Sequence, residues 1–506
     1  MNSVPNGAWP PPMTLRPITS RECSVSTVSI QRTVAEKVRR ARTAQSAFAN
    51  WSQERVDDLV SAVGWHCYRE DNARRLTELS YLETGLGDPE HLYELQRKRI
   101  LGQLLELQGQ TTVGTVEVIP ERGLRRLAKP VGVIAAASPA TAPSSGIVCN
   151  ALPMLKTRNA IVFTPNPRAR DSAAATLDVI RQALAEVGAP PDLVQCLPAD
   201  GREAVEHLMA AADLVVAVGG PGTVRRAYRS GTPAIGAGVG NSTVLVDETA
   251  DIALAARCIQ TGAGYNNGTS CSSESNVLVH RSVADDLRTV LSAAHAHVCT
   301  REETARIRRV LWTEDHTLNR DLIGKSAAVL AGACGITLAA PDRTTVLVLD
   351  ADGPDDPGPI LGEKLSPVVS LLTYDHFDAA VRRIDDILNQ CGRGHSAGIH
   401  SRLPARIDQF AHALPTCRIV VNQSTMTNSG SLTSGVPFTS TLSSGTWGGT
   451  SVSGNVTWHS YVNLTTIAEA IPERVADPTV LFGRYGTPAA MENVEKTDER
   501  MLERAS

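Results

Sequence analysis

The chain has no uninterrupted apolar run of the roughly eighteen residues that a spanning helix requires, so no such helix is expected. It has no excess of positive charge. Its 49 lysines and arginines stand against 53 aspartates and glutamates, a net charge of −4. A nucleic-acid partner is therefore not expected, and a small substrate fits better. Its 10 cysteines form no CxxC pair, which argues against a zinc site and for a reducing, cytoplasmic setting. There is no GxGxxG, so the standard dinucleotide fingerprint is missing. The opening MNSVPNGAWPPPMTLRPITS lacks an apolar core behind a basic flank and does not read as a secretory leader. Residues 1–27 are expected to be a disordered, Pro- and Ser-rich tail, with a second tail at 486–506.

What is present is periodic. Val34, Val38, Ala41, Ala44 and Phe48 recur at helical spacing. Ser52 is placed to cap the next helix, QERVDDLVSAVGWHCY, and a third, NARRLTELSYLE, should stop near Gly85. TTVGTVEVIPE alternates as an exposed hairpin strand does, within a hairpin at about 110–125. From VGVIAAAS (131–138) onward, continuous apolar runs alternate with helical patterns. Such runs mark buried parallel strands, so the expected fold is α/β and doubly wound. The pattern resumes after Val244, so a second α/β unit is expected. Residues 423–455 are rich in Ser, Thr and Gly. Composition alone leaves them either a linker or a loop lining a site.

Three stretches carry chemistry. VAVGGPGTVRRAY (216–228) reads as a strand ending in Gly219-Gly220-Pro221-Gly222, with a helix starting at Thr223. Backbone N–H groups there can meet a phosphate. GYNNGTSCSSES (264–275) sets Cys271 among small polar residues, where a packing cysteine would have apolar neighbours. Gly264 and Gly268 are expected to leave room for substrate beside the sulfur. Finally, Glu363 precedes a strand containing a proline.

In this order the blocks resemble the aldehyde dehydrogenase superfamily, in its coenzyme A-acylating branch. The resemblance runs from about residue 30 to 485. It rests on KPVGVIAAASPATAP (129–143), LKTRNAIVFTPNPRA (155–169), GGPGTVRRAY (219–228), GTPAIGAGVGNSTVLVDETADI (231–252), NNGTSCSSE (266–274), EKLSPV (363–368) and GTWGGTSVSGNV (445–456). It implies a cofactor domain at 28–245, a catalytic domain at 246–430, and a segment at 431–485 returning to line the site. It implies NAD or NADP as cofactor, coenzyme A as co-substrate, no metal, and a homodimer or homotetramer joined through the hairpin. By position, Cys271 matches the nucleophile and Glu363 the glutamate on the nicotinamide ribose. Gly219 and Gly220, with Gly222 and Thr223 following, fall at the pyrophosphate. Thr164, Pro165 and Asn166 fall on the adenosine side. Thr141 stands where hydrolytic members carry the oxyanion-hole asparagine. Their glutamate base falls near Ala237, in GAGVGNS (236–242). A missing base suits attack by a thiol better than attack by water.

The implied substrate is acetaldehyde or another short aldehyde, ahead of sulfoacetaldehyde. RIVVNQSTMTNSG, GTWGG and LFGRYG resemble the sulfoacetaldehyde enzymes, and a Ser/Thr-lined pocket would hydrogen-bond a sulfonate. Two rivals are an acyl-phosphate reductase of the glutamyl-phosphate reductase type, which would require phosphate, and a catalytically silent scaffold.

Overall fold

The computed structural model describes residues 20–197, 201–352 and 358–486, with side chains from residue 29 onward. Residues 1–19 and 487–506 of the expected tails lie outside these. Helix α1 spans Ser20–Phe48, so residues 20–27 continue a helix where a tail was expected. Its stripe of Val34, Val38, Ala41, Ala44 and Phe48 is buried. A Val or Phe side chain so buried contributes about 1.5–3 kcal/mol. Helix α2 (Gln53–Tyr68) starts where Ser52 accepts a hydrogen bond from the Arg55 N–H, and α3 (Glu70–Thr84) ends on a left-handed Gly85. Helix α4 (Pro89–Leu107) follows, then strands β1 (Gly114–Ile119) and β2 (Leu124–Pro130).

Five strands form the first parallel sheet: β3 (Val133–Ser138), β4 (Ala160–Pro165), β5 (Val194–Cys196), β6 (Leu214–Val218) and β7 (Ala234–Ala237), ordered β5-β4-β3-β6-β7. They are joined by α5 (Pro143–Lys156), α6 (Arg170–Glu186), α7 (Arg202–Ala211) and α8 (Pro221–Arg229). Strands β3 and β4 are buried throughout, as their unbroken apolar runs require. The chain winds outward from β3 to β5 and then returns to β6 on the other side. The crevice at such a reversal, at the carboxyl ends of the strands, is where this architecture binds ligands.

The second sheet holds β8 (Ser242–Val246), β9 (Glu274–His280), β10 (Ala296–Val298), β11 (Val346–Asp350), β12 (Val368–Tyr374), β13 (Ala397–His400) and β14 (Ile419–Val421). Its order is β10-β11-β12-β9-β8-β13-β14, again parallel. Helices α9 (Ile252–Gly264), α10 (Ala284–Ala293), α11 (Arg301–Leu311), α12 (Ala327–Ala333), α13 (Phe377–Gln390) and α14 (Pro404–Ala413) cover it. Residues 423–455 are no linker. They carry a short antiparallel pair, β15 (Leu442–Ser444) with β16 (Ser453–Asn455), and Ser443 Oγ donates to the Gly236 carbonyl at 2.9 Å.

Contacts divide the chain into two units, Met1–Gly114 with Ala128–Asn463, and Thr115–Leu127 with Leu464–Ser506. The second unit carries most of a three-stranded sheet, β1-β2-β17, in which β17 is Val462–Ala468. Helix α15 (Pro478–Phe482) follows. No helix among the described residues is long and apolar enough to cross a membrane.

Candidate active site

The seven-stranded sheet gathers the site by topology. Gly240 lies just before β8, Cys271 just before β9, Glu363 just before β12, His395 just before β13 and Arg418 just before β14. These strands are parallel neighbours in the order β12-β9-β8-β13-β14. Five segments distant in sequence therefore converge at one edge.

Gly240 joins the nucleophile loop to Glu363. Its N–H donates to Glu363 Oε1 at 3.1 Å. Its Cα approaches Cys271 so closely that a β-carbon there would lie 1.8 Å from the Cys271 carbonyl oxygen. Only glycine permits that approach.

The NNG preceding the cysteine is a backbone device. Asn266, Asn267 and Gly268 are all left-handed, at φ 50°, 52° and 65°, a conformation asparagine and glycine tolerate best. Asn266 Oδ1 accepts from the Asp88 N–H at 2.9 Å, and Asn267 Nδ2 donates to the Gly87 carbonyl at 2.8 Å. The turn before α4 thus anchors the loop. The room expected beside the sulfur is not what these glycines supply. A β-carbon on Gly268 would lie 2.4 Å from the Ser366 carbonyl oxygen, and one on Gly264 would lie 3.2 Å from Val346. Gly268 serves close packing of one loop on another, and Gly264 that of the end of α9 on β11.

Burial pushes the Cys271 thiol up to about 11, and Glu363 adds to the rise; Arg418, Arg99 and the Ser272 hydroxyl oppose it. The free protein thus holds a thiol here rather than the pre-formed thiolate its polar setting suggests. Burial likewise pushes Glu363 up to about 8, against the Gly240 N–H and Lys364. Glu363 is therefore protonated at neutral pH, and its charge opposes the thiolate only above about pH 8. Selective alkylation of Cys271 by iodoacetamide, followed on its peptide, should keep accelerating beyond pH 9 in cofactor-free protein. In Glu363→Gln the rise should move to lower pH. An unchanged profile in that variant would remove the coupling.

Several contributors carry no motif. Lys364 is 1% exposed and donates to the Ser275 carbonyl (2.8 Å), the Gly362 carbonyl (3.1 Å) and Asn276 Oδ1 (3.2 Å). It fastens the Glu363 loop to β9. Burial pulls its ammonium down to about 7. Leu365 next to it is left-handed at φ 45°, a strain of order 1–3 kcal/mol at a site the surroundings over-determine. Glu274 is buried; Oε1 accepts from the Ser424 hydroxyl (2.8 Å) and the Thr425 N–H (2.7 Å), while Oε2 has no partner. Burial pushes this carboxyl up to about 7. Folding therefore loses stability from Glu274 and Glu363 as pH rises from the ordinary carboxylate range through 7–8, and holds it in full below about 4.5. His395 is buried and pulled down to about 3 by burial and Arg418; its Nδ1 meets the Ser396 hydroxyl at 2.8 Å, and Nε2 has no partner.

The residues expected on the cofactor side lie at the carboxyl edge of the five-stranded sheet. Ser138 pairs in register with Pro165, and Ala137 pairs with both Thr164 and Ala217, so Thr164–Asn166 and Gly219 share that edge. Asn166 accepts from the Arg168 N–H at 3.0 Å. Thr141 is half-buried in the turn between β3 and α5. Helix α8 starts at Pro221, earlier than Thr223, because proline suits the first helical turn. A β-carbon on Gly220 would meet nothing within 4 Å, so the backbone there is open, and Arg226 Nε nearby is buried without a partner. An open glycine turn at a helix N-terminus beside an unpartnered guanidinium nitrogen fits a phosphate-bearing cofactor. Ala237, at the end of β7, is buried and offers no polar group.

Comparison with known proteins gives a consistent result. The profile described as "Aldehyde dehydrogenase family" matches residues 13–307. A sulfoacetaldehyde dehydrogenase (acylating) of Bilophila wadsworthia is 36% identical over 445 residues, 87% of this chain and 96% of its own. A succinate-semialdehyde dehydrogenase (acetylating) of Clostridium kluyveri is 37% identical over 434 residues, 86% and 95% respectively. Among solved structures, a Rhodopseudomonas palustris propionaldehyde dehydrogenase with bound CoA and an acylated cysteine superposes with TM-score 0.79 at 26% identity, covering 86% of this chain and 97% of that one.

Proposed function

Because the chain belongs to the aldehyde dehydrogenase family, in its coenzyme A-acylating branch, we propose that it oxidises a short aldehyde to an acyl-coenzyme A thioester with NAD(P), through an acyl group held on Cys271. The observation that carries this is the convergence of Cys271 with Glu363 across Gly240.

The sulfur of Cys271 adds to the aldehyde carbon, and a thiohemiacetal forms. Gly219, Gly220, Gly222 and Thr223 hold the cofactor pyrophosphate, Thr164, Pro165 and Asn166 its adenosine side, and Glu363 the nicotinamide ribose. Bound NAD(P) supplies the hydride acceptor. Thr141 is assigned to the carbonyl oxygen. With hydride gone, Cys271 carries a thioester. Coenzyme A sulfur attacks its carbonyl, the Cys271 sulfur leaves, and the acyl group departs on coenzyme A.

The carboxylate acting on Cys271 is Glu363, whose pKa of about 8 leaves it protonated at neutral pH. Water near the acyl group then lacks a base, a contribution of about 10²–10⁴ in rate. Without coenzyme A, one equivalent of reduced cofactor should form quickly. Steady turnover should follow at least about 10²-fold more slowly than with coenzyme A. Equal steady rates would overturn the reading, and a requirement for inorganic phosphate instead would favour an acyl-phosphate reductase.

The sequence blocks alone put acetaldehyde-type substrates first. The specific observations favouring a second reading, an aldehyde with an anionic far end, are the 36% identity to the Bilophila sulfoacetaldehyde enzyme over 87% of the chain and the 37% identity to the Clostridium kluyveri succinate-semialdehyde enzyme over 86%. We assign homodimer or homotetramer formation to the β1-β2-β17 sheet, where Val118 and Leu464 are exposed; sedimentation as a monomer would contradict it. The nine cysteines whose side chains are described are unpaired.

A further inference from the structure

A cavity of about 150 Å³ lies between α4, the end of α9 and the segment 426–438. Its polar lining is two cations, Lys98 and Arg99, and the hydroxyls of Thr261, Tyr265 and Ser429; no carboxylate lines it. Arg99 Nη1 donates to the Ser145 hydroxyl at 3.1 Å, and its Nε is buried without a partner. Among the described residues no carboxylate forms an ion pair with Arg99 or Lys98. Two cations facing one small cavity without a counter-ion repel each other unless an anion enters.

One wall of the cavity is fastened to the loop that carries the nucleophile. Arg99 acts electrostatically on Cys271, favouring its thiolate. The segment that forms one wall is tied to the residues following Cys271. Thr425 Oγ1 donates to the Ser272 carbonyl at 2.6 Å, and the Ser273 hydroxyl donates to the sulfur of Met426, a lining residue, at 3.8 Å. The volume suits a tail of a few heavy atoms. Phe438 and Leu95 supply the apolar lining for its carbons.

Resting on the reading of Cys271 as the acylated nucleophile, we propose that this cavity selects aldehydes whose far end carries a sulfonate or carboxylate. Arg99 is the ionic anchor, Lys98 adds charge at the mouth, and the Thr261 hydroxyl donates to a remaining oxygen. Arg99 is a specificity-determining residue, and the planar fork of guanidinium suits either oxyanion.

The test is the ratio of kcat/KM for an anionic aldehyde to that for a neutral aldehyde of similar length. Sulfoacetaldehyde and succinate semialdehyde are each compared with butyraldehyde, with coenzyme A and cofactor saturating. The unaltered enzyme should prefer at least one anionic aldehyde by about tenfold or more. Arg99→Met should lower that ratio about 10–100-fold, the range of a charged hydrogen bond, and Arg99→Lys should recover part of it. Any effect of Arg99 on Cys271 itself cancels in the ratio. Should Arg99→Met fail to fold, the unaltered protein still decides the matter: ethanesulfonate or butyrate should protect Cys271 from iodoacetamide, and butanol should not. A preference for the neutral aldehyde, an unchanged ratio in Arg99→Met, or equal protection by butanol would overturn the proposal. No coenzyme A-dependent oxidation of any of these aldehydes would instead overturn the underlying function. A sulfonate or a carboxylate preference both support the proposal and identify the head group.

Discussion

Cys271→Ala should reduce coenzyme A-dependent aldehyde oxidation by at least about 10⁴-fold, because no other group can hold the acyl intermediate. The loop proposed to hold the cofactor, Gly219–Thr223, lies on the other sheet and follows a different strand, so cofactor affinity should stay within a few-fold. Cofactor binding by fluorescence titration, set beside turnover, separates the two. The change replaces the Cys271 thiol by hydrogen and removes a single sulfur atom, so thermal stability should hold to within a few degrees. Loss of cofactor binding and stability along with activity would mean that the residue is structural. Turnover within tenfold of the unaltered protein would mean that the nucleophile lies elsewhere.

Gly240→Ala should be the most damaging change that leaves every reacting group in place. The new carbon would lie 1.8 Å from the Cys271 carbonyl oxygen, 2.6 Å from its carbonyl carbon and 2.8 Å from its Cα. All three are backbone atoms, so no side chain can swing aside. The loop must shift, and the Gly240 N–H must loosen its 3.1 Å hold on Glu363. A misplacement of about 1 Å at a reacting centre costs about 10²-fold in rate. Overpacking costs about 1–3 kcal/mol of stability. Turnover and thermal unfolding measured together check this, with the Cys271 alkylation profile reporting the shifted loop. Activity within threefold would show that the close approach carries no catalytic weight.

Much of this fold was legible because its strands are buried on both faces. VIAAAS and AIVFTP cannot alternate when water touches neither side, and their apolar runs mark β3 and β4 directly. The Ser52 cap and the left-handed Gly85 stop were legible for local reasons. Helix α4 was not, because its buried stripe includes Gln96 and Gln103, whose side chains donate to the Cys67 and Phe438 carbonyls. Helix α9 shows only its cap in the sequence, Asp251, which accepts from the Leu254 N–H. Strand β13 is four residues, too short for any period to show.

The site divides in the same way. Cys271 stands out by its polar local setting, whereas Glu363 enters only through the resemblance. Gly240, Lys364, Glu274, His395 and Arg418 belong to the site only because parallel neighbours β12, β9, β8, β13 and β14 bring their preceding loops to one edge. That is a consequence of strand order, which residue patterns do not display. Lys98 and Arg99 belong to no motif. Only the cavity against 426–438 gives them a common target.

The most direct measurement of the central claim is mass spectrometry of the Cys271 peptide after mixing protein with aldehyde and oxidised cofactor, without coenzyme A. The account predicts the acyl mass on that peptide, and its loss on adding coenzyme A as one equivalent of acyl-coenzyme A appears. An unmodified Cys271 peptide under turnover conditions, or free acid in place of the thioester, would contradict it.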